Sequence, residues 1–143
     1  MPLPQRRIGD LSVSAVGLGC MPLSFPRMLD HRDQAIATVH RALDLGITLL
    51  DTANIYAPAW DAVGHNEVLV GEALRSYPGD VSAVVVATKG GITRGPGETW
   101  GRDSRPDALR AACEASLRRA IDALEGAGGQ PVLGFRAPRF SLS

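Results

Sequence analysis

From Asp33 to Leu45 the apolar residues Ile36, Val39, Ala42 and Leu43 recur at helical spacing, with Arg41 and Asp44 between them and Gly46 placed as a left-handed stop. The run Ile47-Thr48-Leu49-Leu50 that follows is apolar and rich in β-formers without polar alternation, the pattern of a strand covered on both faces, and it ends at Asp51. A long connection from Thr52 to His65 leads to a second helix. Asn66 is the expected cap there, Glu67 suits the positive end of the helix dipole, and Val68, Leu69, Ala73 and Leu74 form the apolar side. That helix is expected to stop near Tyr77-Pro78-Gly79. Val81 to Thr88, centred on Val84, Val85 and Val86, is the second unbroken strand-like run, again expected to be buried on both faces. A loop rich in Gly, Thr and Arg is expected over 90–103. Ser104 to Pro106 then offers a helix start, with Leu109, Cys113, Ser116, Leu117 and Ala120 along one face.

Ahead of these elements, Arg7 to Val13 reads as a short hairpin around Gly9-Asp10, and Ser14 to Gly19 as a small, glycine-containing strand. The order is therefore strand, helix, repeated three times, which implies α/β architecture with a parallel sheet and right-handed crossovers. Two arrangements satisfy it: a doubly wound open sheet, and a (β/α)8 barrel, which takes about 250 residues. Beyond Ala120 the texture changes. Residues 121–143 are rich in Gly, Ala, Pro and Arg, and only Val132 to Phe135 offers a short strand. The chain thus divides into a patterned part, 1–120, and a divergent tail, 121–143, expected to be disordered or makeshift.

Composition narrows the partners. In 143 residues, 15 Lys and Arg balance 15 Asp and Glu, so no basic footprint favours nucleic acid or an anionic membrane surface. No window approaches the roughly 18 apolar residues of a spanning helix, and Met1 to Arg7 lacks the apolar stretch of a secretory signal. The expectation is a cytoplasmic chain. Cys20 and Cys113, the only cysteines, stand far apart and suggest neither a disulfide framework nor a zinc site.

Asp51 and Lys89 close successive strands, so both lie at the carboxyl edge of a parallel sheet, where α/β active sites are built. A charge pair that merely caps strand ends is the plainer reading. Tyr56 favours chemistry: it follows Asp51 by five positions, within reach of the same edge, and a phenol beside a lysine ammonium gives up its proton more readily. Trp60, in the same long loop, suits either a substrate-pocket wall or packing against the loop. His65 suits a helix start or pocket wall better than a proton donor, Cys20 a small wall residue, and Cys113 core packing. Gly90-Gly91 matches no phosphate-binding loop.

Gly17-Leu18-Gly19, Asp51-Thr52-Ala53-Asn54-Ile55-Tyr56, Asn66-Glu67 with Val70-Gly71-Glu72-Ala73-Leu74, Ala87-Thr88-Lys89 and Ser116-Leu117-Arg118-Arg119 resemble, in order and spacing, the aldo-keto reductases. The similarity runs from residue 7 to about 119. It implies a (β/α)8 barrel with an N-terminal β-hairpin, of which this chain carries about three βα units, and NADPH-dependent reduction of small aldehydes or ketones to alcohols without metal. On that resemblance Asp51, Tyr56 and Lys89 match three of four catalytic positions. Tyr56 would be the general acid, Lys89 its activator and Asp51 both the orienter of Lys89 and a neighbour of the cofactor. The fourth, a histidine ending a later strand, has no match, since no histidine follows His65. In the family most of the NADPH site also lies on later strands. The 143-residue chain is therefore expected to be inactive alone, as a truncated or frame-shifted product, with self-association through open sheet edges; a non-catalytic binding or assembly module on a half-barrel is the alternative.

Overall fold

The computed structural model describes residues 3–128, with the backbone alone for residues 120, 121 and 123–128. Strand β1 (Gln5–Ile8) pairs antiparallel with β2 (Leu11–Ser14) across a turn in which Gly9 takes a positive φ of 61°, the expected hairpin. Val13 of β2 is buried, and polar bonds add to the hairpin's tie to the rest. Ser14 N–H donates to Thr48 Oγ1 and Thr48 N–H to Ser14 Oγ, each at 2.9 Å.

The central sheet is parallel and has the order β3 (Leu18–Gly19), β4 (Leu49–Asp51), β5 (Val85–Ala87). Each strand sits beside its predecessor, with helix α1 (Arg32–Asp44) between the first two and α2 (His65–Ser76) between the second two. Consecutive neighbours are the pattern of a barrel wall, and the first half of a doubly wound sheet of order 3-2-1-4-5-6 shares it. Helices α1 and α2 pack together, and α2 packs against α3 (Pro106–Gly128). Among the described residues the sheet does not close.

The core lies between sheet and helices. Ala35, Val39 and Ala42 bury one stripe of α1, and Leu69, Val70, Ala73 and Leu74 one stripe of α2, around Leu50, which is wholly buried. Burying such a leucine contributes roughly 1.5–3 kcal/mol. Gly46, at φ 84°, ends α1 as expected, donating its N–H to Leu43 O at 2.8 Å.

Four expectations need correction. The strand expected over 14–19 shrinks to β3, because Ala15 N–H bonds back to Pro4 O and the next residues bend. The strand expected over 81–88 shrinks to β5, whose residues are only half-buried because a single neighbour, β4, pairs with it among the described residues. Val68 faces outward, 45% exposed, since the buried stripe of α2 runs through Leu69 and Val70. The loop expected over 90–103 contains a hairpin, β6 (Ile92–Gly95) and β7 (Thr99–Arg102), joined at Pro96-Gly97-Glu98. Its strands are mostly exposed and so carry no apolar alternation.

Leu109 is 38% exposed and lies over Gly90 and Gly91, while Ser116 is buried; the short strand expected at Val132 to Phe135, like most of the expected tail, lies outside the described residues. No described helix is long and apolar enough to cross a membrane.

Candidate active site

Parallel pairing sets Asp51 opposite Gly19 on one side and Ala87 on the other, so Asp51 and the Lys89 that follows Ala87 emerge at the same sheet edge. Lys89 Nζ lies 2.8 Å from Asp51 Oδ1 and donates to Thr52 O at 2.9 Å. The same ammonium lies 4.8 Å from the centre of the Tyr56 ring. The three residues named from the sequence are thus brought together. Burial alone would lower the pKa of Lys89, but hydrogen bonds to Asp51 and to Tyr56, with the charges behind them, outweigh it and raise it above its ordinary 10.5. The ammonium stays charged through neutral pH.

The loop that carries Tyr56 is fixed at both ends by the start of α2. Tyr56 N–H donates to Ala53 O at 3.1 Å, Gly64 N–H to Asn54 O at 2.6 Å, and Asn66 N–H to Tyr56 O at 3.1 Å. Asn54, between Asp51 and Tyr56, keeps its Oδ1 buried with no hydrogen-bond partner among the described residues.

Asn66 is not the cap of α2. Gly64 takes that place with a left-handed φ of 91°, and Asn66 turns inward, fully buried. Its Oδ1 accepts from Thr52 Oγ1 at 2.6 Å, while Nδ2 donates to Cys20 O at 2.8 Å and to Ser24 Oγ at 2.7 Å. Ser24 Oγ also shares a hydrogen bond with His65 Nδ1, 2.9 Å away. Burial first, and the positive charge of Arg32 second, hold His65 below its ordinary 6.5. His65 is therefore a helix-start residue held by hydrogen bonding, as the sequence suggested.

Glu67 also turns toward the sheet. Its Oε1 accepts from Thr88 Oγ1 at 2.6 Å, and its Oε2 pairs with Arg119 Nε of α3 at 2.6 Å. Neither Asn66 nor Glu67 was singled out from the sequence for this position, because an Asn-Glu pair before an apolar run reads as a cap and a first turn.

Trp60 is brought against the second hairpin instead. Its N–H donates to Glu98 Oε1 at 3.0 Å, and Glu98 Oε2 pairs with Arg94 Nε at 2.5 Å. Arg94 Nη1 reaches Ala57 O at 2.7 Å, and its guanidinium stacks over Trp100. Trp60 is 38% exposed. Cys20 is buried beside Asp51, and burial, ahead of the Asp51 charge, pushes its thiol up to about 11, so it is no nucleophile at neutral pH. Both cysteines are free. No described group of His, Cys, Asp and Glu could hold a metal ion.

Residues 15–121, well over half of the chain, match the model of the aldo/keto reductase family. The chain belongs to the aldo/keto reductase family. Its fold is matched by a glycerol dehydrogenase of Gluconobacter oxydans, 36% identical with a TM-score of 0.68, over 81% of this chain and 35% of that one. An aldo-keto reductase of Bacillus halodurans in its holo form is 35% identical with a TM-score of 0.66, over 82% and 36%. A protein of Pseudomonas aeruginosa described as an aldo-keto reductase is 30% identical with a TM-score of 0.65, over 81% and 42%. The chain thus spans less than half the length of these relatives and corresponds to their N-terminal part. The three strands of this aldo/keto reductase chain are accordingly a partial (β/α)8 barrel. The family generally uses NAD(P)H.

Proposed function

We propose that Asp51, Tyr56 and Lys89 are the proton-donating part of an NADPH-dependent reductase site that converts aldehydes or ketones to alcohols. The observation that carries this reading is the placement of one ammonium 2.8 Å from a carboxylate and 4.8 Å from a tyrosine ring centre at the carboxyl edge of a parallel sheet. Tyr56 is the general acid: its hydroxyl gives a proton to the carbonyl oxygen, and the phenolate left behind is stabilised by the adjacent ammonium of Lys89. Asp51 holds Lys89 in that place and keeps it charged.

The edge fits a flat ring. Gly19, in register with Asp51, has nothing within 4 Å of where a Cβ would lie, and the Asp51 side chain is 45% exposed there. NADPH, when bound, supplies the hydride. Asp51 and the open backbone at Gly19 are the residues of this chain that would border its reacting end, and Trp60 would line the substrate side.

Because the chain covers well under half of each relative, turnover is expected from a complete barrel and little from the 143-residue chain alone. The test is a graft in which residues 15–119 replace the matching N-terminal part of the Gluconobacter oxydans protein. A folded graft that oxidises NADPH only when an aldehyde or ketone is added supports the reading. A folded graft that is inert toward a broad panel of carbonyl compounds counts against it.

A further inference from the structure

Two consecutive residues at the start of α2 reach two neighbouring strand ends. Asn66 takes the hydroxyl of Thr52, the residue after Asp51, and Glu67 takes the hydroxyl of Thr88, the residue before Lys89. Both bonds measure 2.6 Å, and both acceptors are shielded: Asn66 is fully buried and the Glu67 side chain is 7% exposed. Side chains on adjacent helix positions point about 100° apart, so a single helical turn can hold two strands only if its axis sits across the gap between them. The N–H of Asn66 adds a third tie, to the carbonyl of Tyr56 itself.

We infer that Asn66 and Glu67 are positioning residues that set the Asp51–Lys89 pair by fixing Thr52 and Thr88, with Arg119 of α3 locking Glu67 in place. The inference rests on the reading of Asp51, Tyr56 and Lys89 as the proton-donating site. Packing alone would place α2 on the sheet through Leu69, Val70, Ala73 and Leu74, one and two turns further along. It would leave the strand ends free to shear by the few tenths of an ångström that separate a direct ion pair from a looser one. The hydroxyl-to-Glu67 and hydroxyl-to-Asn66 bonds remove that freedom at the two residues that flank the site. Glu67 is suited to this because its second oxygen is committed to Arg119 Nε, which fixes the carboxylate plane.

The chain offers a direct readout, since Lys89 is its only lysine. Brief acylation of the intact 143-residue chain at pH 8 with a neutral active ester, followed by peptide mass spectrometry, reports the unprotonated fraction of Lys89 against the N-terminal amine as internal standard. The expected result is that Thr88→Val accelerates acylation of Lys89 about threefold, equivalent to a fall of about half a pH unit in its titration. Thr88→Ser, which restores a hydroxyl, keeps the parental rate. Glu67→Gln should act in the same direction as Thr88→Val; if that chain does not fold, the Thr88 pair decides, with cooperative melting as the check on folding. Equal acylation of Lys89 in the folded parent, Thr88→Val and Thr88→Ser chains would overturn the inference. None of this depends on turnover: an inert graft together with the expected acylation pattern refutes the reductase reading and leaves the positioning role standing.

Discussion

Lys89, the one lysine of the chain, is placed by the fold between a carboxylate and a phenol. That much was legible from sequence. A charged residue that closes a buried apolar run has little choice of place, and a tyrosine five positions beyond Asp51 cannot reach far from the same edge. The positions of Asn66 and Glu67 are not legible, because an Asn-Glu pair before an apolar run has the pattern of a cap and first turn, while the left-handed Gly64 that precedes α2 carries no such signal. His65 makes a prediction at this scale. Its pKa is lowered on folding, so the unfolded chain binds the proton more readily, and stability is lost as pH falls from about 6.5 through the lower folded value. Glu98 and Asp103, held below their ordinary 4.5 and 3.8 by Arg94 and Arg105, act the same way only in more acid solution. Thermal melts between pH 7.5 and 5 should therefore show a falling midpoint in the parent and a flatter profile in His65→Gln; parallel profiles would refute the neutral, hydrogen-bonded His65.

At the level of elements, α1 and α2 followed from periodicity because their buried stripes are continuous, whereas the second hairpin did not. Its residues face solvent on most sides, and its one signal was Pro96-Gly97, a turn pair inside a segment that otherwise resembles any glycine-rich loop. The hairpin nonetheless matters to the site, since Arg94 and Glu98 hold Ala57 and Trp60 on the loop that carries Tyr56. The start of α2 is the more sensitive point. Gly64 has φ 91°, and a Cβ there would come within 2.8 Å of Arg119 Nε, the atom that pairs with Glu67. Gly64→Ala should cost about 1–2 kcal/mol from the left-handed backbone alone. Displacement of Arg119 adds to that. Urea unfolding checks this, and a midpoint equal to the parent's would contradict the close approach.

As a whole molecule, the chain is an aldo/keto reductase sheet of three consecutive parallel strands with its helices packed in succession. The choice between barrel and doubly wound sheet could not be read from element order or from three consecutive strands, which both share; the family match and the similar solved structures decide it. The closing histidine position of the family and the later strands have no counterpart among the described residues, so the part of the site that we propose for this chain is the proton-donating one. Its worth is measured most directly by Tyr56→Phe in the grafted barrel. That graft should melt as before and bind NADPH as before, with kcat lowered about 100-fold or more, the size of effect expected for loss of a general acid. An unchanged kcat would contradict that role, because the proton would then come from elsewhere and the Asp51–Lys89 pair would be no more than a cap on two strand ends.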